Sequence, residues 1–290
     1  MTVAVAAASD DVLGEGPVYD RADGSLRWVD IGRGLWRRLD LKSGAHSTIE
    51  LDEALTGFAP VADGGYVGAF KSGIARFGHD GRITSWLARP EAGIESNRFN
   101  DAGTDLHGRF LAGTMNMHGG EPKGALYSLD DQRRLSVLKR GIGIANTIAF
   151  NPSGDILYTA DTSTGDLMAF DYDAATGKLG ERRGDFRPDP SLPGAPDGSA
   201  VDAEGYLWNA RWDGGCVVRL APDGALDRIV EMPVRLVTSC CFVGTALYVT
   251  TSTWNFSDED RRTQPLAGSL LKFDADVAGL ERSLCRIGAA

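Results

Sequence analysis

The chain has 290 residues, 42% of them hydrophobic, and a formal net charge of −10. That length buries a sizeable core, and the acidic balance without a basic run excludes a nucleic-acid-binding surface. No stretch of 18 apolar residues occurs, and no basic region followed by an apolar one opens the chain, so neither a membrane span nor a secretory signal is expected. A cytoplasmic protein is the expectation.

Residues 1–10 read either as a ring-closing strand, Thr2–Ala8, or as disordered. One pattern then recurs six times: an apolar segment, a tight turn with Gly, and a β-rich run with aromatics. It stands at Asp23-Gly24-Ser25-Leu26-Arg27-Trp28, Asp63-Gly64-Gly65-Tyr66-Val67 and His107-Gly108-Arg109-Phe110-Leu111. It returns at Ser153-Gly154-Asp155-Ile156-Leu157-Tyr158, Glu204-Gly205-Tyr206-Leu207-Trp208 and Val243-Gly244-Thr245-Ala246-Leu247-Tyr248. The marker glycines lie 40, 44, 46, 51 and 39 residues apart, a period that signals a propeller or solenoid. The fourth repeat parses into strands Asn146–Phe150, Ile156–Asp161, Asp166–Tyr172 and Leu179–Phe186. The fifth parses into Gly198–Asp202, Tyr206–Trp212, Cys216–Ala221 and Leu226–Met232. No segment shows a sustained, capped helical period. The expected fold is all-β: a six-bladed β-propeller with four antiparallel strands per blade, a single domain over residues 1–290.

Eight or nine residues before the marker glycines, the first, third, fourth and fifth repeats place Glu15, Asn100, Asn146 and Asp197. The second places Thr56 and the sixth apolar Leu236. Equivalent positions in a ring of repeats converge on its axis, so these four oxygen-bearing side chains are candidates for one site. Asn and Asp are also common at strand entries because they tolerate turn conformations. The coincidence across four repeats, including a Glu without turn preference, favours the site. Its donors are oxygen only, which suits Ca²⁺, Mg²⁺ or Mn²⁺, with Fe²⁺ and Zn²⁺ also admissible. Arg98 stands two residues before Asn100, on the same face of an extended segment. His118 lies in a loop, 116–123, that could cover the channel mouth. Trp28 and Trp208 read as packing between blades, and Trp212 either as packing or as a wall of a ligand pocket.

The four cysteines, Cys216, Cys240, Cys241 and Cys285, match no zinc spacing and read as small core hydrophobes. The four histidines form no HExxH, no GxSxG marks a nucleophilic serine, and neither GxGxxG nor a P-loop occurs.

Leu13-Gly14-Glu15-Gly16-Pro17, Arg98-Phe99-Asn100-Asp101, Gly108 to Met115 and Gly124-Ala125-Leu126-Tyr127 stand in order. Asn146 before an apolar strand, Pro196-Asp197-Gly198-Ser199, Asp202 to Trp208 and Leu247 to Thr251 follow. This ordered set resembles the senescence marker protein/gluconolactonase (regucalcin-like) family from about Leu13 to Phe273. With Gln264-Pro265-Leu266-Ala267-Gly268 it is most similar to bacterial sugar-acid (pentono) lactonases. The resemblance implies a six-bladed propeller with one catalytic divalent metal ion. Its metal ligands fall on Glu15, Asn146 and Asp197, with Arg98 and Asn100 contacting substrate. Two departures stand out. The family usually has Gly after the Asn146 position, where this chain has Thr147. Near the family's acidic substrate contact this chain has Asn116, Met117 and His118.

The expected function is metal-dependent hydrolysis of a pentono- or hexono-lactone to its sugar acid. Asp197 serves as general base or the metal activates the water, Arg98, Asn100 and His118 bind substrate, and the protein acts as a monomer. An ester or organophosphate hydrolase using the same metal is the first alternative. An interaction propeller with a structural metal is the second, weakened because Arg27-Trp28-Val29-Asp30 does not recur at each blade's end.

Overall fold

The computed structural model describes residues 1–288. Its first strand, β1 (Ala4–Ala7), is short and is paired only at the far end of the sequence. Then come four-stranded antiparallel sheets built from consecutive strands. Blade 1 comprises β2 (Gly14–Asp20), β3 (Ser25–Asp30), β4 (Leu35–Asp40) and β5 (His46–Glu50). Blade 2 comprises β6 (Leu55–Pro60), β7 (Tyr66–Phe70), β8 (Gly73–Phe77) and β9 (Ile83–Ala88). Blade 3 comprises β10 (Asn97–Thr104), β11 (Phe110–Asn116), β12 (Gly124–Leu129) and β13 (Leu135–Ile142). Blade 4 comprises β14 (Ala145–Phe150), β15 (Ile156–Asp161), β16 (Asp166–Asp173) and β17 (Lys178–Arg182). Blade 5 comprises β18 (Ala195–Val201), β19 (Leu207–Trp212), β20 (Cys216–Leu220) and β21 (Leu226–Glu231). Blade 6 takes β22 (Val237–Val243), β23 (Ala246–Thr251) and, after the helix α1 (Asp258–Thr263), β24 (Leu270–Asp274). Its fourth strand is β1, paired with β24 in the order β1-β24-β23-β22. The fold is a six-bladed β-propeller, and the first residues supply a strand of the last blade.

The fourth repeat follows the expected strands closely, except that β17 ends at Arg182 rather than Phe186. In the fifth, β18 begins at Ala195, so Asp197 lies inside the strand instead of before it. The helix was not expected. It is too short to show a period, and a capping box starts it, with Ser257 accepting from the Asp260 N–H and Asp260 accepting from the Ser257 N–H. Among the described residues no helix is long and apolar enough to cross a membrane.

Two compact units divide the chain. One holds Met1–Glu50 and Asp185–Glu281, that is, blades 1, 5 and 6; the other holds Leu51–Gly184 and the chain from Arg282 onward, with blades 2, 3 and 4. In the first unit, Trp208, Val217, Val237, Cys240 and Phe273 form one core cluster, and Leu26, Trp28, Cys241 and Tyr248 belong to another. Adjacent Cys240 and Cys241 thus serve opposite faces of β22, as strand alternation requires. In the second unit, Phe99, Phe110 and Tyr127 share a cluster, as do Leu111, Ile148 and Tyr172. All four cysteines are free and buried, as expected of small core residues.

Buried carboxylates fasten the turns. Trp28 Nε1 donates to Asp11 Oδ2 (2.8 Å) and Arg37 Nε to Asp11 Oδ1 (2.5 Å). The same arrangement recurs in blade 5, where Trp208 Nε1 (2.8 Å) and Arg219 Nε (2.9 Å) converge on Asp202 Oδ2. Trp28 and Trp208 are fully buried core residues, as expected, while Trp212 is half-buried. The tail after β24 also binds within each unit. Leu280 N–H donates to Val201 O in the first, and in the second Cys285 pairs with Pro60 and Ala62 while Arg286 N–H meets Gly108 O.

Asp11 lends the fold a pH dependence. Burial pushes its carboxyl up to about 6 from the usual 3.8, against the pull of Trp28 and Arg37. A raised carboxyl means that the folded state holds the proton longer than the unfolded chain. Stability from this group is therefore full below about pH 4 and is lost as the pH rises through about 6. The gap corresponds to on the order of 3 kcal/mol. Asp11→Asn should lower stability overall, because one amide oxygen cannot accept both donors in the same way. It should also remove this slope, so that the wild-type advantage in denaturant melts shrinks between pH 4 and pH 7; a constant difference across that range would refute the assignment.

Candidate metal and substrate site

Each blade's leading strand carries one residue more than its partner. The pairing steps from Glu15↔Val29 to Val18↔Arg27 in β2 and from Asn146↔Ala160 to Ala149↔Tyr158 in β14. It steps from Phe99↔Thr114 to Ala102↔Ala112 in β10 and from Pro196↔Arg211 to Ser199↔Asn209 in β18. The strands β6 and β22 bulge at Thr56 and Thr238. A bulge unpairs a residue and re-aims its neighbours, and bulges gather next to active sites. All four sequence-predicted positions sit at these bulges: Glu15 and Asn146 as the last paired residue, Asn100 and Asp197 inside. The sixth repeat differs from expectation, because Leu236 precedes β22 and the bulge residue is the polar Thr238.

In the unit of blades 2–4, three of the predicted residues form one hydrogen-bonded relay. Arg98 Nη1 donates to Asn100 Oδ1 (2.7 Å) and to Phe99 O (2.8 Å). Asn100 Nδ2 donates to Asn146 Oδ1 (3.0 Å) and to Ala145 O (3.0 Å), and Asn146 Nδ2 to Thr162 Oγ1 (2.7 Å). The amide orientations follow from this network. An amide oxygen has two lone pairs, so Asn146 Oδ1 retains one beyond the bond from Asn100. Asn146 is 4% exposed, so its amide is fixed by partners and not by water.

Thr147 follows Asn146 with φ of 56°, a left-handed conformation that costs a β-branched residue about 1–3 kcal/mol. Gly16 adopts φ of 53° at the matching point after Glu15 at no such cost. What holds Thr147 is Asp101. Its carboxylate accepts from the backbone N–H groups of Ala102 (2.7 Å) and Ile148 (3.2 Å), and from Thr147. Burial pushes the Asp101 carboxyl up, while the Arg282 charge and those donors oppose it. Asp101 thus ties the bulge of β10 to that of β14. Sequence reasoning named it within a motif but assigned it no role.

The other unit holds Glu15, half-buried, and Asp197, 3% exposed. Glu15 Oε2 accepts from the Gly16 N–H (3.2 Å). Asn209 Nδ2 donates to Asp197 O (3.1 Å) and to Ser199 Oγ (2.9 Å). Arg211 Nη1 in turn donates to Asn209 Oδ1 (3.0 Å), and its remaining donors reach the Pro193 and Gly194 carbonyls. Burial lowers the Arg211 pKa, opposed by the charges of Cys216 and Asp197. The guanidinium is thus held by neutral acceptors, with the Asp197 charge close enough to be felt. Asn209 and Arg211 carried no sequence signal, since their roles depend on pairing across β18 and β19.

His118 is exposed in the loop between β11 and β12, where its backbone N–H donates to Asn116 Oδ1 (3.1 Å). Nothing in its surroundings joins it to the Arg98–Asn100–Asn146 relay. Among the described residues no three His, Cys, Asp or Glu side chains gather as a metal-binding group. The predicted ligand set, with two carboxylates and an amide, is of another kind.

A family model described as an SMP-30/gluconolactonase/LRE-like region matches residues 13–253. The chain belongs to this family. A 6-deoxy-6-sulfogluconolactonase from Pseudomonas putida is 35% identical over 94% of this chain and 94% of its own length. A pentonolactonase from Haloferax volcanii is 33% identical over 99% of this chain and 100% of its own. Among solved structures, a calcium-binding protein, regucalcin, from Agrobacterium tumefaciens superimposes with a TM-score of 0.91 at 28% identity, covering 98% of this chain and 97% of that one. The family therefore has the fold found here, and the resemblance read from the ordered motifs holds.

The bulge at Asp197 also explains Gly198. A Cβ there would overlap the Ser239 hydroxyl and stand 2.5 Å from the Ser239 Cβ. Gly198→Ala should destabilise by about 1–3 kcal/mol, the usual cost of overpacking. The double variant Gly198→Ala/Ser239→Gly should recover part of that loss in denaturant melts, since the Ser239 Cα, 2.9 Å away, remains. No recovery would place the strain elsewhere.

Proposed function

We propose that this protein hydrolyses a sugar lactone to the corresponding sugar acid, with one divalent cation held by Glu15, Asn146 and Asp197. The observation that carries the reading is the bulge shared by the leading strands, which presents Glu15, Asn100, Asn146 and Asp197 in a family whose members include lactonases. The donor set fits such an ion. Two carboxylates balance a dication, and Asn146 adds a neutral oxygen with a lone pair to spare. Hard oxygen donors suit Ca²⁺, Mg²⁺ or Mn²⁺. The calcium-binding description of the Agrobacterium protein supports the first of these.

When bound, the cation supplies Lewis-acid polarisation of the lactone carbonyl. The chain's own residues do the rest. Asp197 takes a proton from the water that attacks the carbonyl carbon. As the ring C–O bond breaks, the ring oxygen takes that proton from Asp197 and becomes a hydroxyl, which restores the Asp197 carboxylate. Arg98 and Asn100, already locked together, orient the ring oxygen and hydroxyls. The Arg98 guanidinium does so without changing protonation state. His118 is placed to meet substrate only from its exposed loop. Free, buried cysteines accord with a reducing compartment, and we assign the enzyme to the cytoplasm.

Glu15→Gln, Asn146→Ala and Asp197→Asn should each weaken divalent-ion binding and lower kcat by about 10²–10³-fold on aldono-lactones. Calorimetry with Ca²⁺ or Mn²⁺ and single-lactone assays on metal-stripped, reloaded protein read both effects. Full activity of stripped Asp197→Asn would sink the mechanism, and hydrolysis of phosphotriesters in preference to lactones would redirect it.

Arg98→Ala should instead raise KM and reduce kcat/KM by about ten- to a hundredfold, the worth of a hydrogen bond from a charged donor. Ion affinity should stay close to wild type. A lost ion would show that the relay through Asn100 holds the ligand Asn146 and not the substrate.

A further inference from the structure

Beside Arg98, within the unit of blades 2–4, lies a cavity of about 420 Å³ lined by Lys71, Glu91, Ile94, Arg98, Phe99 and Thr114, among others. That volume falls in the range of small-molecule sites. Arg98 is the last member of the Asn146–Asn100–Arg98 relay and also part of this wall, so the cavity adjoins the relay at Arg98.

One wall is preformed. Glu91 Oε1 accepts from Thr114 Oγ1 (2.9 Å) and from Tyr127 OH (2.9 Å), and Oε2 accepts from Asn97 Nδ2 (2.9 Å). Burial and the Glu91 hydrogen bond push the Tyr127 hydroxyl up to about 12, so it remains a donor to Glu91 at any physiological pH. Two successive turn bonds, Ile94 N–H to Glu91 O (2.8 Å) and Asn97 N–H to Ile94 O (3.0 Å), shape the segment between β9 and β10. Glu91 is occupied with these donors and acts as a clamp. Lys71, on the turn between β7 and β8, makes no ion pair among the described residues, and its ammonium offers three donors. Ile94, 38% exposed, and Phe99 belong to the apolar part of the lining, which is its larger share, and polar groups stand around it. Donors and acceptors around a small apolar platform suit a polyhydroxylated carbon chain, whose hydroxyls need partners and whose C–H edges need apolar contact.

We infer that this cavity is the subsite for the hydroxylated tail of the lactone, the carbons farthest from the carbonyl, and that Lys71 and Ile94 set the accepted chain length. This assignment rests on the lactonase reading above. It predicts that six-carbon aldono-lactones are preferred over four-carbon ones, because the larger tail fills the cavity.

The test is the ratio of kcat/KM for a six-carbon aldono-lactone to that for a four-carbon hydroxylactone. Ile94→Trp, which fills the cavity from an exposed position, should lower that ratio at least tenfold. Lys71→Met, an exposed change without structural burden, should lower it several-fold. Thermal melts of both variants check that each is folded. An unchanged ratio in both folded variants overturns the subsite while leaving lactone hydrolysis intact. If the wild type hydrolyses no lactone, the lactonase reading fails, and calorimetry with a six-carbon sugar acid then decides the subsite alone. Binding by the wild type that Ile94→Trp abolishes upholds it; no binding, or binding that Ile94→Trp leaves unchanged, overturns it.

Discussion

The single extra residue in each leading strand is the constraint on which the rest depends. A regular antiparallel ladder would alternate the side chains of β2, β10, β14 and β18 between the two faces of their sheets. The bulge interrupts that alternation at one matching point in every repeat. There the chain spends its polar side chains, and the backbone pairs normally on both sides. Room for the detour comes from small residues: a Cβ on Gly57 would stand 2.8 Å from that of Ala102, and one on Gly113 2.5 Å from that of Ala145. Side chains larger than these would push the blades apart and move the bulges with them.

Support for the bulges is built from long-range polar contacts. Asp101 fixes the left-handed turn at Thr147 from the neighbouring strand, and Asn209 and Arg211 fix Asp197 from the strand paired to it. In both cases a charged group is satisfied mainly by backbone or amide partners. Its donors or acceptors hold the backbone of the bulge in place.

The architecture was legible in the sequence because its signals are local. Turn glycines at a steady period and β-branched runs between them fixed the blade count, and most strand ends fall within a residue or two. The four candidate positions were legible for the same reason, since each repeat displays the same offset. Thr238 was missed because the sixth repeat shortens its approach to the bulge, so the fixed offset lands on Leu236. The helix escaped because six residues cannot show a period. Asp101, Arg211 and Glu91 stayed silent because each acts on residues far away in sequence: Glu91 reaches Thr114 and Tyr127, Asp101 reaches Ile148. Nothing short of the pairing register announces those partners.

The pairing of β1 with β24 has a consequence for synthesis. Blade 6 cannot acquire its fourth strand until residues near Leu270 have left the ribosome, long after Ala4–Ala7. The Asp11 N–H must likewise wait for Gly268, and the Asp11 carbonyl for the Thr253 N–H. Through that interval the nascent chain carries an unpartnered apolar strand, and closure comes as a late, long-range event. The join that completes the molecule is the one most exposed to mispairing with another nascent copy, and shortness, four residues in all, is what limits that hazard.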